Sequence, residues 1–121
     1  MLSLKQRLTA YRVIPVVTPT SVDATLSLAR ALSAGGIGAI EITLRTQNAL
    51  DVLRAVKESD IAIEVGVGTV TSSRLVEAVA EIGVSFAISP GLTRSVLDAA
   101  RANELELLPG VATPSALMVG L

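Results

Sequence analysis

The stretch Gly38-Ala39-Ile40-Glu41-Ile42 is a short apolar run of small and β-branched residues, interrupted by one carboxylate. Five such runs begin at residues 13, 38, 62, 85 and 106, which is a nearly constant spacing. Segments with helical periodicity lie between them, so the sequence predicts five βα units with parallel strands. The predicted strands are Val13-Ile14-Pro15-Val16-Val17, Gly38-Ala39-Ile40-Glu41-Ile42, Ala62-Ile63-Glu64-Val65-Gly66, Ser85-Phe86-Ala87-Ile88 and Glu106-Leu107-Leu108.

The segments between these runs have the residues that commonly begin and end helices. Leu75, Val79 and Ile82 recur at helical spacing, and Gly83 follows them at a position where glycine often ends a helix. Thr113-Pro114 provides a capping hydroxyl before a proline suited to the first helical turn. No linker or low-complexity segment divides the chain, and we therefore expect a single domain over residues 1–121.

Two arrangements of five βα units fit this pattern. One is a small open sheet of the flavodoxin type, and the other is part of a (β/α)₈ barrel, which at roughly 23 residues a unit needs roughly 185 residues. An open sheet would normally finish its last helix with polar residues, whereas this chain ends on Ala116-Leu117-Met118-Val119-Gly120-Leu121. We therefore expect an α/β fold of the (β/α)₈ TIM-barrel type, with only the first five βα units present.

The composition limits the chemistry that the chain can perform. It has no cysteine and no histidine, which excludes disulfides, thiol nucleophiles, histidine bases and nearly all zinc sites, and we expect no metal and no cofactor. A net charge of −1 gives no electrostatic footprint for nucleic acid or an anionic membrane surface. The apolar runs are far shorter than a membrane span. We expect a cytoplasmic protein that binds a small molecule, with no nucleic-acid or membrane partner.

Polar residues gather where the predicted strands end. Glu41, Thr43 and Arg45 follow one another at the second strand, Thr69 follows the third, and Pro90 follows the fourth. The carboxyl ends of parallel strands meet at one edge of a sheet or barrel, where ligand sites are found. These residues therefore predict a site at that edge, with Arg45 suited to a carboxylate or phosphate.

Glu41 is the strongest candidate for chemistry, as an active-site carboxylate at the C-terminal end of a buried strand. Burying a carboxylate costs several kcal/mol unless it is paired or hydrogen-bonded. A structural ion pair between Glu41 and Arg45 is the alternative. Glu64 and Glu106 also lie in strand-like runs, but they lack the Thr43-Leu44-Arg45-Thr46 continuation, and we expect them to face outward or an interface.

Two short segments near this edge have a predicted backbone role. Gly66-Val67-Gly68-Thr69 lacks the rest of a dinucleotide-binding pattern, so we expect its glycines to permit close approach and Thr69 to offer a hydroxyl to the ligand. Ser89-Pro90-Gly91 predicts a rigid turn, which is compatible both with ligand contact and with a plain loop corner.

Taken together, five motifs of the chain resemble the KDPG/KHG aldolase family. These enzymes, the 2-keto-3-deoxy-6-phosphogluconate and 4-hydroxy-2-oxoglutarate aldolases, are class I lyases on a (β/α)₈ barrel and are commonly trimeric. The motifs occur in order and cover the chain from end to end. They are Val13-Ile14-Pro15-Val16-Val17, Glu41-Ile42-Thr43-Leu44-Arg45-Thr46, Val65-Gly66-Val67-Gly68-Thr69-Val70, Phe86-Ala87-Ile88-Ser89-Pro90-Gly91-Leu92 and Leu108-Pro109-Gly110-Val111-Ala112-Thr113-Pro114.

The resemblance implies a reaction and a role for four residues. A lysine forms a Schiff base with a 2-keto acid, and cleavage releases pyruvate with glyceraldehyde 3-phosphate or glyoxylate. Glu41 matches the general acid/base, Arg45 and Thr69 match groups that hold the pyruvate-like end, and Pro90 lines the pocket. The resemblance also implies a homo-oligomer, commonly a trimer.

The family's Schiff-base lysine lies on the sixth strand in a Phe-Lys-Phe-Phe-Pro-like segment, which by spacing falls beyond Leu121. The chain's only lysines are Lys5 and Lys57, in predicted helices. We therefore expect the chain alone to be inactive. Two alternatives are an inactive half-barrel that acts as a self-associating structural module, and a different barrel lyase or isomerase that uses Glu41 without a lysine.

Overall fold

A computed structural model describes residues 1–121 as one five-stranded parallel sheet with six helices. Each strand is followed by a helix, and one further helix precedes the first strand. None of these helices has the length and apolar character needed to span a bilayer. The elements are α1 (Leu4–Tyr11), β1 (Val16–Val17), α2 (Val22–Ala34), β2 (Ala39–Thr43), α3 (Ala49–Glu58), β3 (Glu64–Gly68), α4 (Ser73–Ile82), β4 (Phe86–Ser89), α5 (Arg94–Ala102), β5 (Leu107–Pro109) and α6 (Pro114–Gly120).

The order of the strands decides between the two predicted arrangements. They lie side by side as β1-β2-β3-β4-β5, and every neighbouring pair is parallel. A flavodoxin-type sheet reverses direction near its first strand, giving the order 2-1-3-4-5, whereas a (β/α)₈ barrel adds each strand beside the previous one. The TIM-barrel type is therefore confirmed, with five βα units in this chain.

All five predicted strands occur, but each begins one to three residues later than the sequence indicated. The largest difference is in β1, where only Val16 and Val17 pair with β2. Pro15 has no N–H to donate, and its carbonyl accepts a bond from the Glu41 N–H at 2.9 Å. The Val13 N–H instead donates to the Tyr11 carbonyl at 2.7 Å, which places Val13 in the turn after α1.

The helix ends follow the predicted capping residues. Gly83 ends α4 in the left-handed conformation with φ 86°, which a residue without Cβ adopts at little cost. The Thr113 hydroxyl accepts a bond from the Ala116 N–H at 3.1 Å and so caps α6. A capping box of Ser3 and Gln6 begins α1.

The two faces of the sheet have different surroundings. Ile40, Ile42, Val65 and Val67 belong to the buried core that packs against the helices, and burying each such side chain contributes about 1.5–3 kcal/mol. Successive side chains of a strand alternate between faces, so the intervening residues share the opposite side, which we call the inner face. Residues of the inner face are Ala39, Glu41, Thr43, Glu64, Gly66, Gly68 and Phe86.

Helix α1 is bonded to the N-terminal end of the sheet through Glu64. The Arg7 Nε donates to Glu64 Oε1 at 2.9 Å, and the Tyr11 hydroxyl donates to Glu64 Oε2 at 2.7 Å. The side chain of Glu64 is only 12% exposed. The prediction of an outward-facing or interfacial Glu64 is therefore wrong, because its partners lie on a helix distant in sequence. Glu106, directly before β5, is exposed.

Candidate functional site

The predicted site residues all lie at or near the C-terminal edge of the sheet. Thr43 at the end of β2 pairs in register with Gly68 at the end of β3, and Ser89 at the end of β4 pairs with Pro109 of β5. Because these strand ends are level, the loops that follow them begin at the same edge. Those loops contain Arg45, Thr69 and Pro90.

Glu41 reaches this edge through its side chain and not through its position in the strand. Its Cα lies in the middle of β2, opposite Val16 and Gly66, so the predicted location at the strand's C-terminal end is wrong by two residues. The carboxylate lies over Gly68, the last residue of β3, where a Cβ would overlap Glu41 Oε1. The predicted close approach at Gly68 is thus confirmed.

The carboxylate of Glu41 is half-buried and has no partner within the chain. No side-chain hydrogen bond reaches it, and the three ion pairs within 4.0 Å join Arg7 to Glu64, Arg30 to Asp60 and Arg54 to Asp51. The alternative Glu41–Arg45 ion pair is therefore not formed.

Burial raises the pKa of the Glu41 carboxyl, because desolvation disfavours the charged form, and the positive charge of Arg45 partly opposes this rise. Such a carboxyl stays protonated to a higher pH than an exposed one. It is therefore better suited to both accept and return a proton.

Thr69 follows β3 in a strained backbone conformation. Its φ is 62°, in the left-handed region that β-branched residues rarely adopt. Bonds on either side hold it there: the Gly68 carbonyl accepts from the Leu44 N–H at 3.0 Å, and the Val70 N–H donates to the Ile88 carbonyl at 3.1 Å. Backbone strain of this kind is concentrated at ligand sites, where the surrounding structure maintains it.

The turn Ser89-Pro90-Gly91 is held firmly, as its sequence predicted. The buried Ser89 hydroxyl donates to the Gly91 carbonyl, and the Ser89 carbonyl accepts from the Gly110 N–H at 2.8 Å. A Cβ at Gly110 would overlap the Pro90 carbonyl oxygen, so the loops after β4 and β5 are in close contact. Pro90 itself is exposed beside a shallow cavity of about 170 Å³.

Thr43 is fully buried at the same edge, and its hydroxyl makes structural contacts within the sheet. Its hydroxyl donates to the Val17 carbonyl at 3.3 Å and lies 3.5 Å from the hydroxyl of Thr18. These contacts join the loop after β1 to β2. Arg45, two residues further on, is exposed and has no acidic partner within 4.0 Å.

Neither lysine of the chain lies at this edge. Lys5 is in the first turn of α1, the helix that is bonded to the opposite end of the sheet, and Lys57 is in the last turn of α3, just before β3 begins. Both residues are exposed. The site also has no group of three or more potential metal-ligating side chains.

Comparison with known proteins gives a consistent result. Residues 4–121 match the family model described as KDPG and KHG aldolase. The KHG/KDPG aldolase of Escherichia coli is 40% identical over 119 residues, which are 98% of this chain and 56% of that protein. The chain thus spans little more than half the length of the curated relatives that it matches.

Solved structures of similar proteins superpose closely. A 2-keto-3-deoxy-6-phosphogluconate aldolase of Zymomonas mobilis, solved with 3-phosphoglycerate, is 37% identical with a TM-score of 0.82, covering 88% of this chain and 51% of that one. A KDPG aldolase from Legionella pneumophila, with pyruvate captured as a covalent carbinolamine intermediate, is 42% identical with a TM-score of 0.83. It covers 88% of this chain and 52% of that one.

Proposed function

The chain belongs to the KDPG and KHG aldolase family of lyases, and from this membership we propose that the whole protein is a class I aldolase. Its substrates would be 2-keto-3-deoxy-6-phosphogluconate, cleaved to pyruvate and glyceraldehyde 3-phosphate, or 4-hydroxy-2-oxoglutarate, cleaved to pyruvate and glyoxylate, or both. The observation that supports this most is Glu41, a half-buried carboxylate with a raised pKa and no hydrogen-bonding partner, at the edge whose loops contain Arg45 and Thr69.

Each residue of the site has a proposed role. Glu41 transfers the protons, because a reaction that makes and breaks carbon–carbon bonds needs a group that both accepts and returns a proton. Arg45 binds the carboxylate of the keto acid with its planar guanidinium, and the Thr69 hydroxyl donates a hydrogen bond to the same end. Pro90 lines the pocket from the rigid turn after β4.

The proposed reaction needs a lysine amine in addition to these residues. The amine adds to the C2 carbonyl and expels water, which gives a protonated imine. Glu41 then takes the C4 hydroxyl proton as the C3–C4 bond breaks, and the bonding electrons move into the imine to form an enamine. Return of a proton to C3 and hydrolysis release pyruvate. Because Lys5 and Lys57 lie away from the site, we propose that this lysine is outside residues 1–121.

Pyruvate binding to this chain tests the site. In two-dimensional NMR, pyruvate should perturb the signals of Glu41 and Thr69 before those at the other end of the sheet. Arg45→Ala should weaken binding about ten- to a hundredfold, since a charged hydrogen bond contributes about 1.5–3 kcal/mol. Arg54→Ala is the matched control, because Arg54 is an exposed arginine on α3 paired only with Asp51, and it should leave binding unchanged.

Borohydride trapping tests the position of the amine. After incubation with pyruvate and borohydride, the mass of this chain should stay unchanged. An adduct on Lys5 or Lys57 would contradict the proposed placement of the lysine. Pyruvate-induced shifts that ignore Arg45→Ala, or that occur only away from the C-terminal edge, would contradict the site itself.

A second role is favoured by exposed apolar side chains on α6. Leu117 is 52% exposed and Met118 is 71% exposed, and uncovered apolar side chains favour association. We propose a homo-oligomer, a trimer by resemblance to the family, either of the enzyme or of a structural module without catalysis. Light scattering after gel filtration should give three times the 12.4 kDa chain mass, and Met118→Glu should lower it. A monomer would contradict this proposal, and pyruvate binding distinguishes the enzyme from the module.

A further inference from the structure

The backbone conformation at position 68 does not require a glycine, but a contact of Gly68 does. Its φ is not positive, since the only glycines with positive φ are Gly36 and Gly83, so an alanine could adopt the same conformation. The space above it is nevertheless filled. The three atoms closest to a Cβ built at Gly68 are all from Glu41, namely Oε1, Cδ and Cγ, the last at 3.1 Å.

A second glycine of β3 contacts a different kind of neighbour. A Cβ at Gly66 would overlap the ring of Phe86, which is fully buried. A ring packed on all sides has no room to move. The Glu41 carboxylate, in contrast, is the far end of a flexible, half-buried side chain, and it forms no hydrogen bond or ion pair. A methyl group at position 68 would therefore displace the carboxylate and leave the strands in place.

From this contrast we propose that Gly68 is a positioning residue for Glu41: the absence of a side chain at position 68 leaves the place on β3 that the Glu41 carboxylate occupies at the C-terminal edge. The proposal rests on the proposed function of Glu41 for its consequence in catalysis. No hydrogen bond or ion pair fixes the carboxylate, so the shape of the sheet surface under it determines where it lies. Gly68 is the part of that surface directly in contact with it.

The expected consequence in the whole enzyme is a loss of turnover. A misplacement of about 1 Å can cost about a hundredfold in rate. Gly68→Ala should therefore lower kcat about a hundredfold with a much smaller effect on KM, because Arg45 and Thr69 would still hold the keto acid. An equal change in both constants would overturn the proposal, because it is the result of a general distortion of the site.

A double-mutant cycle tests the contact in this chain without any substrate. Gly68→Ala should lower the urea midpoint of the chain that has Glu41, and should lower it less or not at all in the Glu41→Ala background, where the overlapping atoms are gone. Gly35→Ala is the matched control. Gly35 ends α2 with φ −80°, and a Cβ there meets only ordinary contacts at 3.4 and 3.5 Å, so its effect should be the same in both backgrounds.

The same shift of midpoint in both backgrounds would overturn the proposal, because the methyl group would then be meeting something other than Glu41. Complete unfolding of Gly68→Ala in both backgrounds would overturn it as well. Unfolding only in the presence of Glu41 would overturn it too, because the carboxylate would then not have moved aside.

A titration of Glu41 provides a readout that general destabilisation would not change. The carboxyl signal is followed by ¹³C NMR against pH in folded Gly68→Ala and folded Gly35→Ala. Displacing the carboxylate from its half-buried position should lower its pKa toward the ordinary glutamate value in Gly68→Ala only. A pKa that stays the same or rises would overturn the proposal. Neither measurement involves pyruvate, so failure of the pyruvate experiment alone would contradict the proposed function and leave the role of Gly68 intact.

Discussion

Glu64 and Glu41 lie on the same face of the sheet, on neighbouring strands, yet their carboxylates are in opposite situations. Both oxygens of Glu64 accept hydrogen bonds, from Arg7 at 2.9 Å and Tyr11 at 2.7 Å, at the N-terminal end of the sheet. Glu41 projects toward the C-terminal edge, where it has no partner and rests on Gly68. A glutamate in an apolar strand therefore indicates neither a structural nor a chemical role until its partners are known.

The two ends of the sheet differ because the N-terminal end is bonded to α1, whereas the C-terminal edge continues into loops. Arg7 and Tyr11 are four residues apart on α1, and so they project from the same side of the helix toward one carboxylate. The C-terminal edge has no such helix, and its loops leave Arg45 and Pro90 exposed. This arrangement is typical of barrels, in which the N-terminal face contributes to stability and the C-terminal face binds the ligand.

The largest expected effect on stability is at Glu64, at the N-terminal end of the sheet. Glu64→Ala should lower the free energy of unfolding by about 2–3 kcal/mol, because it leaves the half-buried Arg7 guanidinium and the Tyr11 hydroxyl without their acceptor. Urea unfolding measures this change. Glu106→Ala is the control, since Glu106 lies directly before β5, much as Glu64 lies at the start of β3, but is exposed, and it should change stability by less than about 0.5 kcal/mol. Equal effects of the two substitutions would contradict a structural role for the hydrogen bonds of Glu64.

The sequence predicted the framework of the molecule better than the roles of its carboxylates. Apolar runs and capping residues such as Thr113 and Gly83 are local signals, and the elements that they predicted are present. The partners of Glu64 are 57 and 53 residues away in the sequence, so no local pattern could have identified them. Similarly, the approach of the Glu41 carboxylate to Gly68 depends on the register of β2 against β3, which no local pattern in the sequence specifies.

A smaller effect on stability is expected at the Tyr11 hydroxyl, which also lies at the N-terminal end of the sheet. The hydrogen bond to Glu64 is the main cause that raises the pKa of Tyr11, because losing the proton would lose the bond. The bond therefore contributes fully below the ordinary tyrosine pKa of about 10 and is lost as the pH rises through the raised value. Tyr11→Phe should cost about 1 kcal/mol at pH 7.

Thermal unfolding of the two chains at pH 7 and in alkaline buffer checks this expectation. The difference between the wild-type chain and Tyr11→Phe should shrink at alkaline pH. A difference that is unchanged across the pH range would show that the hydroxyl does not bind Glu64.

The smallest effect on stability is expected at Glu41, at the C-terminal edge, and it has the opposite sign. Because burial raises the pKa of Glu41, the charged form is disfavoured in the folded chain, and stability falls as the pH rises between the ordinary and the raised value. Glu41→Gln should therefore increase the free energy of unfolding at pH 7 by less than about 0.5 kcal/mol, since water screens a half-buried charge.

At a pH below the ordinary glutamate value of about 4.3, Glu41 is protonated in both the folded and the unfolded chain. The advantage of Glu41→Gln should disappear there. A loss of stability at pH 7, of the size expected for Glu64→Ala, would mean that Glu41 is a structural residue like Glu64.

Titration of Glu41 in the unmodified chain shows whether its carboxyl is unpaired and half-buried, as its proposed role at a ligand site requires. The ¹³C carboxyl signal of Glu41 can be assigned by its loss in Glu41→Gln and followed against pH. We expect a pKa above the ordinary value of about 4.3. A pKa at or below that value would contradict an unpaired, half-buried Glu41, because it is the result expected of an exposed carboxylate or of an ion pair with Arg45.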